Sequence, residues 1–270
     1  MTEVEAAFIP DGDALVPTPL AASAWGPDVL HGGPVALLVA RAAERALPDP
    51  ALLPSRLTVD LFRAVPREPL RTEVELVREG RRVVVARVSV IAGDLEVTRG
   101  QVLFLRRTDG PDTKPIAPPP GPDGLETFRG LSRGAPLPDG LEGGFHDLVD
   151  SRWPRQDGVP PGAMVWARVP FPMVVGEEPT PFQRLASVSD FGNALANHAA
   201  EWLDPAQRLE ASYINADISV HLLRPPEGEW LALVGDRSTH GAGVGLVEVT
   251  HFDHFGHYAR STQARLAYAR

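Results

Sequence analysis

Apolar and polar residues alternate along several stretches of the chain, and the pattern occurs twice. RLTVDLFRAVP (residues 56–66) and DISVHLLRPP (217–226) both step between apolar and polar positions, the signature of a strand with one buried face. Laid one on the other, Leu57 falls on Ile218, Arg63 on Arg224, and both stretches end in proline. Between 26 and 28 residues upstream lie two further matching blocks, LHGGPVALLVARAAERAL and SDFGNALANHAAEWL. Each has a polar residue, a glycine within two positions, and then an Ala/Leu-rich apolar segment. Downstream, the first half continues with the strand-like runs LRTEVELVRE, RRVVVARVSVIAG and LEVTRGQVLFLRR. The second continues with EWLALVGDRSTH, GVGLVEVTHFD and YARSTQARLAYAR. Asp94 and the FDHFGH stretch are expected at hairpin turns, and Gln101 and Gln263 in register on the last strand of each half.

The helix predicted over residues 34–47 is apolar nearly all round in its first turns, so it is expected to be enclosed rather than laid on a surface. The economical arrangement is an antiparallel sheet wrapped around a central helix, made twice. This predicts an α+β fold of the tandem (double) hotdog type. The N-terminal unit is expected over residues 1–107 and the C-terminal unit over 145–270. Residues 108–144 are dense in proline and glycine, unsuited to a helix or a central strand, and read as a semi-extended linker.

Composition narrows the function classes. At 270 residues and 43% apolar content the chain can bury a sizeable core. No apolar run approaches the ~18 residues of a membrane span. The acidic opening MTEVEAAFIPDGD lacks the pattern of an export leader, so a cytoplasmic location is expected. With no cysteine, disulfides, thiolate catalysis and Cys-ligated zinc are excluded. The net charge is −9 and no basic run is visible, which argues against a nucleic-acid partner. A ligand carrying phosphates would need local arginines, Lys114 being the single lysine.

The tripeptide His31-Gly32-Gly33, followed by Pro34, admits two chemical readings. In lipase-type hydrolases such a stretch lends N–H groups to an oxyanion hole and a serine nucleophile follows, but no G-x-S-x-G pentapeptide occurs here. The other reading is a helix N-terminus: Pro34 suits the first turn, the glycines allow close approach, and unpaired N–H groups polarise a substrate carbonyl. His31, Gly32 and Gly33 are therefore candidate substrate and oxyanion residues, against the plainer reading of a tight strand-to-helix turn. Asp190 is expected as the N-cap of the second helix, ionised by the N–H groups it caps. His251, His254 and His257 at three-residue spacing invite a metal reading, but a hairpin tip is usually wet, and a solvated turn is preferred. Trp25, Trp202 and Trp230 read as core or interface residues, and GEEP (176–179) as a plain charged turn.

With these stretches in hand, the chain resembles the acyl-CoA thioesterase II group and its thioesterase-like bacterial relatives. The resemblance is carried by HGGPVALLVARA, MVWARVPFPMVVGEEPTPFQRLASVSDFGNAL, INADISVHLLRPPEGEWLAL and GVGLVEV…YARSTQARL. It implies a double hotdog that hydrolyses acyl-CoA without metal or cofactor and assembles as a homodimer or larger homo-oligomer. It also implies three groups that hold the attacking water: an Asp at the start of the second helix, a hydroxyl before the next strand and a Gln on the last strand. These map to Asp190, Asn215 and Gln263, with an amide standing in this chain where the group has a hydroxyl. In the first half His31 takes the place of Asp190, and Pro54 falls near that of Asn215, so a single polar set is expected. The alternatives are a non-catalytic acyl-CoA or fatty-acyl binding module, favoured by Asn215, and a hotdog hydratase, which would draw on His198 but whose spacing does not fit.

Overall fold

The computed structural model describes residues 6–24, 26–110, 114, 116–131, 144–153, 164–196 and 212–268. The first half contains β1 (Phe8–Asp11), β2 (Ala14–Pro17), β3 (Ala22–Ser23), β4 (Gly26–Leu30), α1 (Gly32–Ala46), β5 (Leu52–Asp60), β6 (Leu70–Glu79), β7 (Val83–Ala92) and β8 (Leu95–Arg106). The second contains β9 (Phe128–Arg129), α2 (Phe145–Leu148), β10 (Asp150–Arg152), β11 (Met164–Arg168), α3 (Pro181–Val188), β12 (Ser212–Asn215), β13 (Asp217–Leu222), β14 (Leu231–Gly241), β15 (Val244–Asp253) and β16 (Gly256–Tyr268). Fourteen strands form one antiparallel sheet in the order β1-β2-β6-β7-β8-β5-β13-β16-β15-β14-β11-β10-β9, with β12 also on β16. The two halves join where β5 meets β13, Leu57 opposite Val220 and Val59 opposite Ile218.

The sheet curls over α1. Every residue from Gly33 to Ala43 except Arg41 is buried, as an all-round apolar helix requires. Along β7, Val84, Ala86, Val88 and Val90 point inward in strict alternation. Gly100 on β8 lets the sheet come close, since a β-carbon there would collide with Cγ1 of Val39. Burying a branched apolar side chain is worth about 1.5–3 kcal/mol, so the helix is fixed in the concave face by its own composition.

The sequence repeat is a structural repeat, with one correction. With Leu57 on Ile218, Ser55 falls on Ala216. The first strand bulges at that position and the second breaks between β12 and β13. Gln101, however, lies opposite Thr58, and the residue opposite the matching Ser219 is Thr262, not Gln263. Gln101 is half-buried and accepts a hydrogen bond from Arg56 Nη2 at 2.6 Å, while Gln263 is 1% exposed. A slip of one residue exchanges the two faces of a strand.

The second helix begins earlier than the sequence suggested. Thr180 caps α3, its hydroxyl accepting from Gln183 N at 3.1 Å, and Pro181 occupies the first turn. The chain then passes through a 3-10 turn, Ser189–Phe191, and is helical again over 192–196. Asp190 thus lies inside the helical segment and is not its N-cap. α1 and α3 pack together and are tied by Glu44, which accepts from Thr180 Oγ1 at 2.8 Å and Gln183 Nε2 at 2.7 Å. The GEEP turn is more than a charged turn, because Glu177 accepts from Arg41 Nε at 2.7 Å and Arg45 Nη1 at 3.1 Å.

Burial revises one further expectation and agrees with another. His251 is not in a wet turn: it is 0% exposed on β15, with Nε2 2.7 Å from Ser261 Oγ. His254 stacks on Trp166 at 5.6 Å and His257 lies edge-on to Phe252 at 6.0 Å, and no group placed to hold a metal ion includes the three among the described residues. Trp230 is buried under Arg152 and Arg168, 4.1 and 5.0 Å from its ring centroid. Trp25, His198 and Trp202 lie outside the described residues. In the Pro/Gly-rich segment, β9 is an edge strand and Pro120 accepts from Trp166 Nε1 at 2.9 Å.

Candidate active site

The N-terminus of α1 and the 3-10 turn after α3 meet head to flank, and the two glycines of HGG make that approach possible. A β-carbon on Gly33 would collide with the backbone oxygen of Ser187. One on Gly32 would stand 2.7 Å from Oδ2 and 2.9 Å from Oδ1 of Asp190. The space a substrate was expected to use beside Gly32 is therefore filled by the carboxylate of the other half. The Gly33 N–H points at His31 Nδ1 at 3.1 Å, and the Gly32 N–H serves Asp190.

Asp190 is 8% exposed and has a donor on each oxygen. Asn215 Nδ2 donates to Oδ1 at 2.5 Å, and His31 Nδ1 lies 3.0 Å from Oδ2. Burial works to lift this carboxyl, but the His31 charge, the hydrogen bonds from His31 and Asn215 and the Gly32 N–H outweigh it and hold the group below its ordinary value. The carboxylate is thus held by the N-terminal end of α1, a helix to which it does not belong. His31 Nδ1 faces both Gly33 N–H and the carboxylate. One ring nitrogen cannot accept from Gly33 and donate to Asp190 at the same time, so a proton on Nδ1 toward the carboxylate gives up the Gly33 hydrogen bond.

Asn215 is placed by β12, whose preceding Tyr213 carbonyl accepts from Asn193 Nδ2 at 2.9 Å, so the helical turn after the 3-10 segment and the strand hold each other. Gln263 reaches the same turn from β16, donating from Nε2 to the Ser189 carbonyl at 2.7 Å. A carbonyl acceptor fixes which end of the amide is nitrogen. Oε1 of Gln263 is then the free end, buried and without a hydrogen-bond partner among the described residues. Asp190, Asn215 and Gln263 therefore converge on one turn, with Gln263 bonded to the residue before Asp190 rather than to Asp190 itself. Pro54, in the place of Asn215, has no polar side chain to contribute.

α2 supplies neighbours that no local pattern revealed. Phe145, His146 and Phe191 surround the His31 ring at centroid distances of 5.4, 5.7 and 5.7 Å. His146 Nε2 is 3.1 Å from Asp147 Oδ2. Burial raises the Asp147 carboxyl, partly offset by the Gly144 N–H and the His31 charge. The one sequence signal was the FHD tripeptide where the Gly/Pro composition ends. Among the described residues no group of three or more His, Asp or Glu side chains is arranged to hold a metal ion, and no helix is long and apolar enough to cross a membrane.

Two family models match the chain: the acyl-CoA thioesterase N-terminal domain over residues 21–105 and the acyl-CoA thioesterase C-terminal domain over residues 117–267. The chain belongs to the acyl-CoA thioesterase family. The centre described above draws on both domains of this acyl-CoA thioesterase family member: His31 and Gly32 come from the first, Asp190, Asn215 and Gln263 from the second. Solved structures agree on the fold. The acyl-CoA thioesterase II TesB2 of Mycobacterium marinum is 20% identical, with a TM-score of 0.65 over 96% of this chain and 94% of that one. A hot dog fold protein of unknown function from Alicyclobacillus acidocaldarius is also 20% identical, with a TM-score of 0.68 over 98% and 96%. The tesB protein of Mycobacterium avium subsp. paratuberculosis is 17% identical, with a TM-score of 0.64 over 97% and 96%. These likenesses establish the tandem hotdog fold. No curated protein matches the chain.

Proposed function

We propose that the chain hydrolyses an acyl-CoA thioester, with water held and directed at Asp190, Asn215 and Gln263. The observation that carries this reading is the convergence on one turn of an ionised buried carboxylate, an amide bonded to it and a second amide whose acceptor end is unused. In the proposed reaction the water oxygen attacks the thioester carbon while Asp190 takes one of its protons and Gln263 Oε1 accepts the other as a hydrogen bond. The charge that develops on the carbonyl oxygen is stabilised by the field at the N-terminal end of α1, where the Gly32 and Gly33 N–H groups themselves are taken up by Asp190 and His31. The C–S bond then breaks, the proton on Asp190 passes to the CoA sulfur, and the carboxyl product and free thiol leave. No residue is acylated and no cofactor is required.

On this reading both hotdog units, 1–107 and 145–270, are needed together, joined by the 108–144 linker. We place the protein in the cytoplasm as a homodimer or larger homo-oligomer. Val244 and Leu266, cross-strand neighbours 56% and 53% exposed, offer an apolar patch for a second copy, and sedimentation tests that assignment. A second reading, an acyl-CoA or fatty-acyl binding protein without turnover, is favoured by one fact: both Asp190 oxygens already have protein donors. A thiol-reactive dye decides between them, because the cysteine-free chain gives no background. Asp190→Asn is expected to lower kcat by about 100-fold or more while acyl-CoA affinity changes little. Absence of CoA release from every acyl chain length, with binding retained, overturns the hydrolase reading.

A further inference from the structure

A cavity of about 330 Å³ opens beside α3, apolar along Phe171, Met173, Val188 and Leu231 and polar where Arg168 and Arg184 face it. That volume lies at the lower end of small-molecule sites. The cavity lies beside the segment that leads into the reaction centre. Ser187 and Val188 line it, and Asp190 follows two residues later. Phe171, also in its wall, meets Phe145 edge-on at 6.0 Å, and Phe145 packs 5.4 Å from His31.

Its charges are unevenly matched. Arg168 is held by Asp150 at 2.7 Å and Glu229 at 3.3 Å, and Glu177 by Arg41 and Arg45. Arg184 has no ion pair among the described residues. Its Nη1 donates to the Pro179 carbonyl at 2.8 Å, and its Nε is buried with no hydrogen-bond acceptor. The guanidinium thus keeps a positive charge that no described carboxylate neutralises, and such a charge at a cavity wall favours an anionic ligand group. The one acidic residue of the cavity without an ion pair among the described residues is Glu178, which is exposed. We infer that this cavity is a substrate subsite in which Arg184 binds an anionic group, a carboxylate or a phosphate ester, of the molecule whose reacting bond lies at Asp190. The inference rests on the acyl-CoA reading above. Arg184 precedes Asp190 by six residues of the same helical segment, about 9 Å along the axis, a separation within the length of an extended acyl-CoA. The anion has two sources: a phosphate of the CoA moiety, or a carboxylate at the far end of the acyl chain.

Calorimetry with free CoA and with adipate, on the parent chain, Arg184→Gln and Arg184→Lys, tests the site without turnover. Hydrolysis of hexanoyl-CoA and adipoyl-CoA is followed in parallel. We expect Arg184→Gln to weaken one probe by about tenfold, with Arg184→Lys recovering part of the loss and the melting temperature unchanged. Loss for CoA, with KM raised alike for both substrates, assigns the phosphate. Loss for adipate and for adipoyl-CoA alone assigns the acyl carboxylate. Unchanged affinity for both probes overturns the subsite, as does a loss that follows a lowered melting temperature and is not relieved by lysine. Arg184-dependent binding in a protein that releases no CoA keeps the subsite and removes the hydrolase reading. Turnover that is indifferent to Arg184 does the reverse.

Discussion

Burying His251 makes the fold sensitive to mild acid, by an amount the structure allows to be worked out. Its ring is fully enclosed, and burial, reinforced by the nearby His257, drives its pKa from 6.5 down to about 3. In the unfolded chain the imidazole takes a proton near its ordinary value, while in the folded chain it stays neutral until far lower pH. Between those two values the unfolded state holds one more proton, so stability rises with pH and is lost as pH falls below the unfolded value. Each unit of difference corresponds to ~1.36 kcal/mol. Lowering the pH from about 7.5 to about 5 crosses roughly 1.5 units of that window, a loss of about 2 kcal/mol from this residue. His257, also pushed down by burial, adds in the same direction. Glu44 and Asp147, both raised by burial, act oppositely: their contribution is full at low pH and lost as pH rises through the folded value. His251→Gln retains an amide opposite Ser261 Oγ but removes the titrating group. Urea unfolding at several pH values in this range is therefore expected to show a slope shallower by about 2 kcal/mol in the variant than in the parent. Parallel slopes would refute the argument that the buried imidazole is kept neutral by the fold.

Three other perturbations separate packing from chemistry. Gly33→Ala drives a methyl group into the Ser187 backbone, which cannot yield as a side chain can, so we expect a net loss of roughly 1–3 kcal/mol in thermal or urea melts. Gly32→Ala presses instead on the Asp190 carboxylate at 2.7 Å. It should lower CoA release by about tenfold or more while costing less stability, and equal effects from the two variants would contradict the assignment. His31→Gln removes the largest influence that keeps Asp190 ionised against burial. The acid limb of the pH profile of kcat/KM, expected in the parent below the ordinary carboxylate range, should move to higher pH, and an unmoved limb would separate Asp190 from the rate.

The sequence made the repeat, the enclosed helix and the strand order within each half legible, because each rests on local alternation and on residues such as Gly and Pro whose conformational needs are strong. What it hid depends on contacts between distant segments. Thr180 caps the second helix ten residues before Asp190, where the acid-then-apolar pattern puts its start. A 3-10 turn that carries the helix onward has no clear mark of its own in the side-chain pattern. Gln101 was placed one residue wrong: the offset of 161 that lays Leu57 on Ile218 carries Gln101 to Thr262, as the pairing opposite Thr58 and Ser219 shows. His251 belongs to a run, Val249 to Asp253, in which every residue is buried, so alternation fails at the point where it was needed. His146 and Asp147 lie beyond a long Pro/Gly-rich stretch from the helix they flank, and nothing in one chain's periodicity joins them to His31.

The same comparison explains why a duplicated fold carries a single polar centre. Two hotdog units related by a repeat bring two helix starts together, and equivalent residues at both would place like charges or two bulky groups in one small space. Here the first unit contributes an imidazole and two glycines, and the second contributes the carboxylate. Gly32 leaves the volume that Asp190 fills, and His31 supplies the charge that keeps Asp190 ionised although it is buried. Pro54 and Val102 stand in the first half where Asn215 and Gln263 stand in the second, so no water could be held in the mirrored position. The first unit has not simply decayed: it has become the environment that sets the protonation state of the second. Its effect should therefore be read in the pH dependence of turnover rather than in substrate affinity.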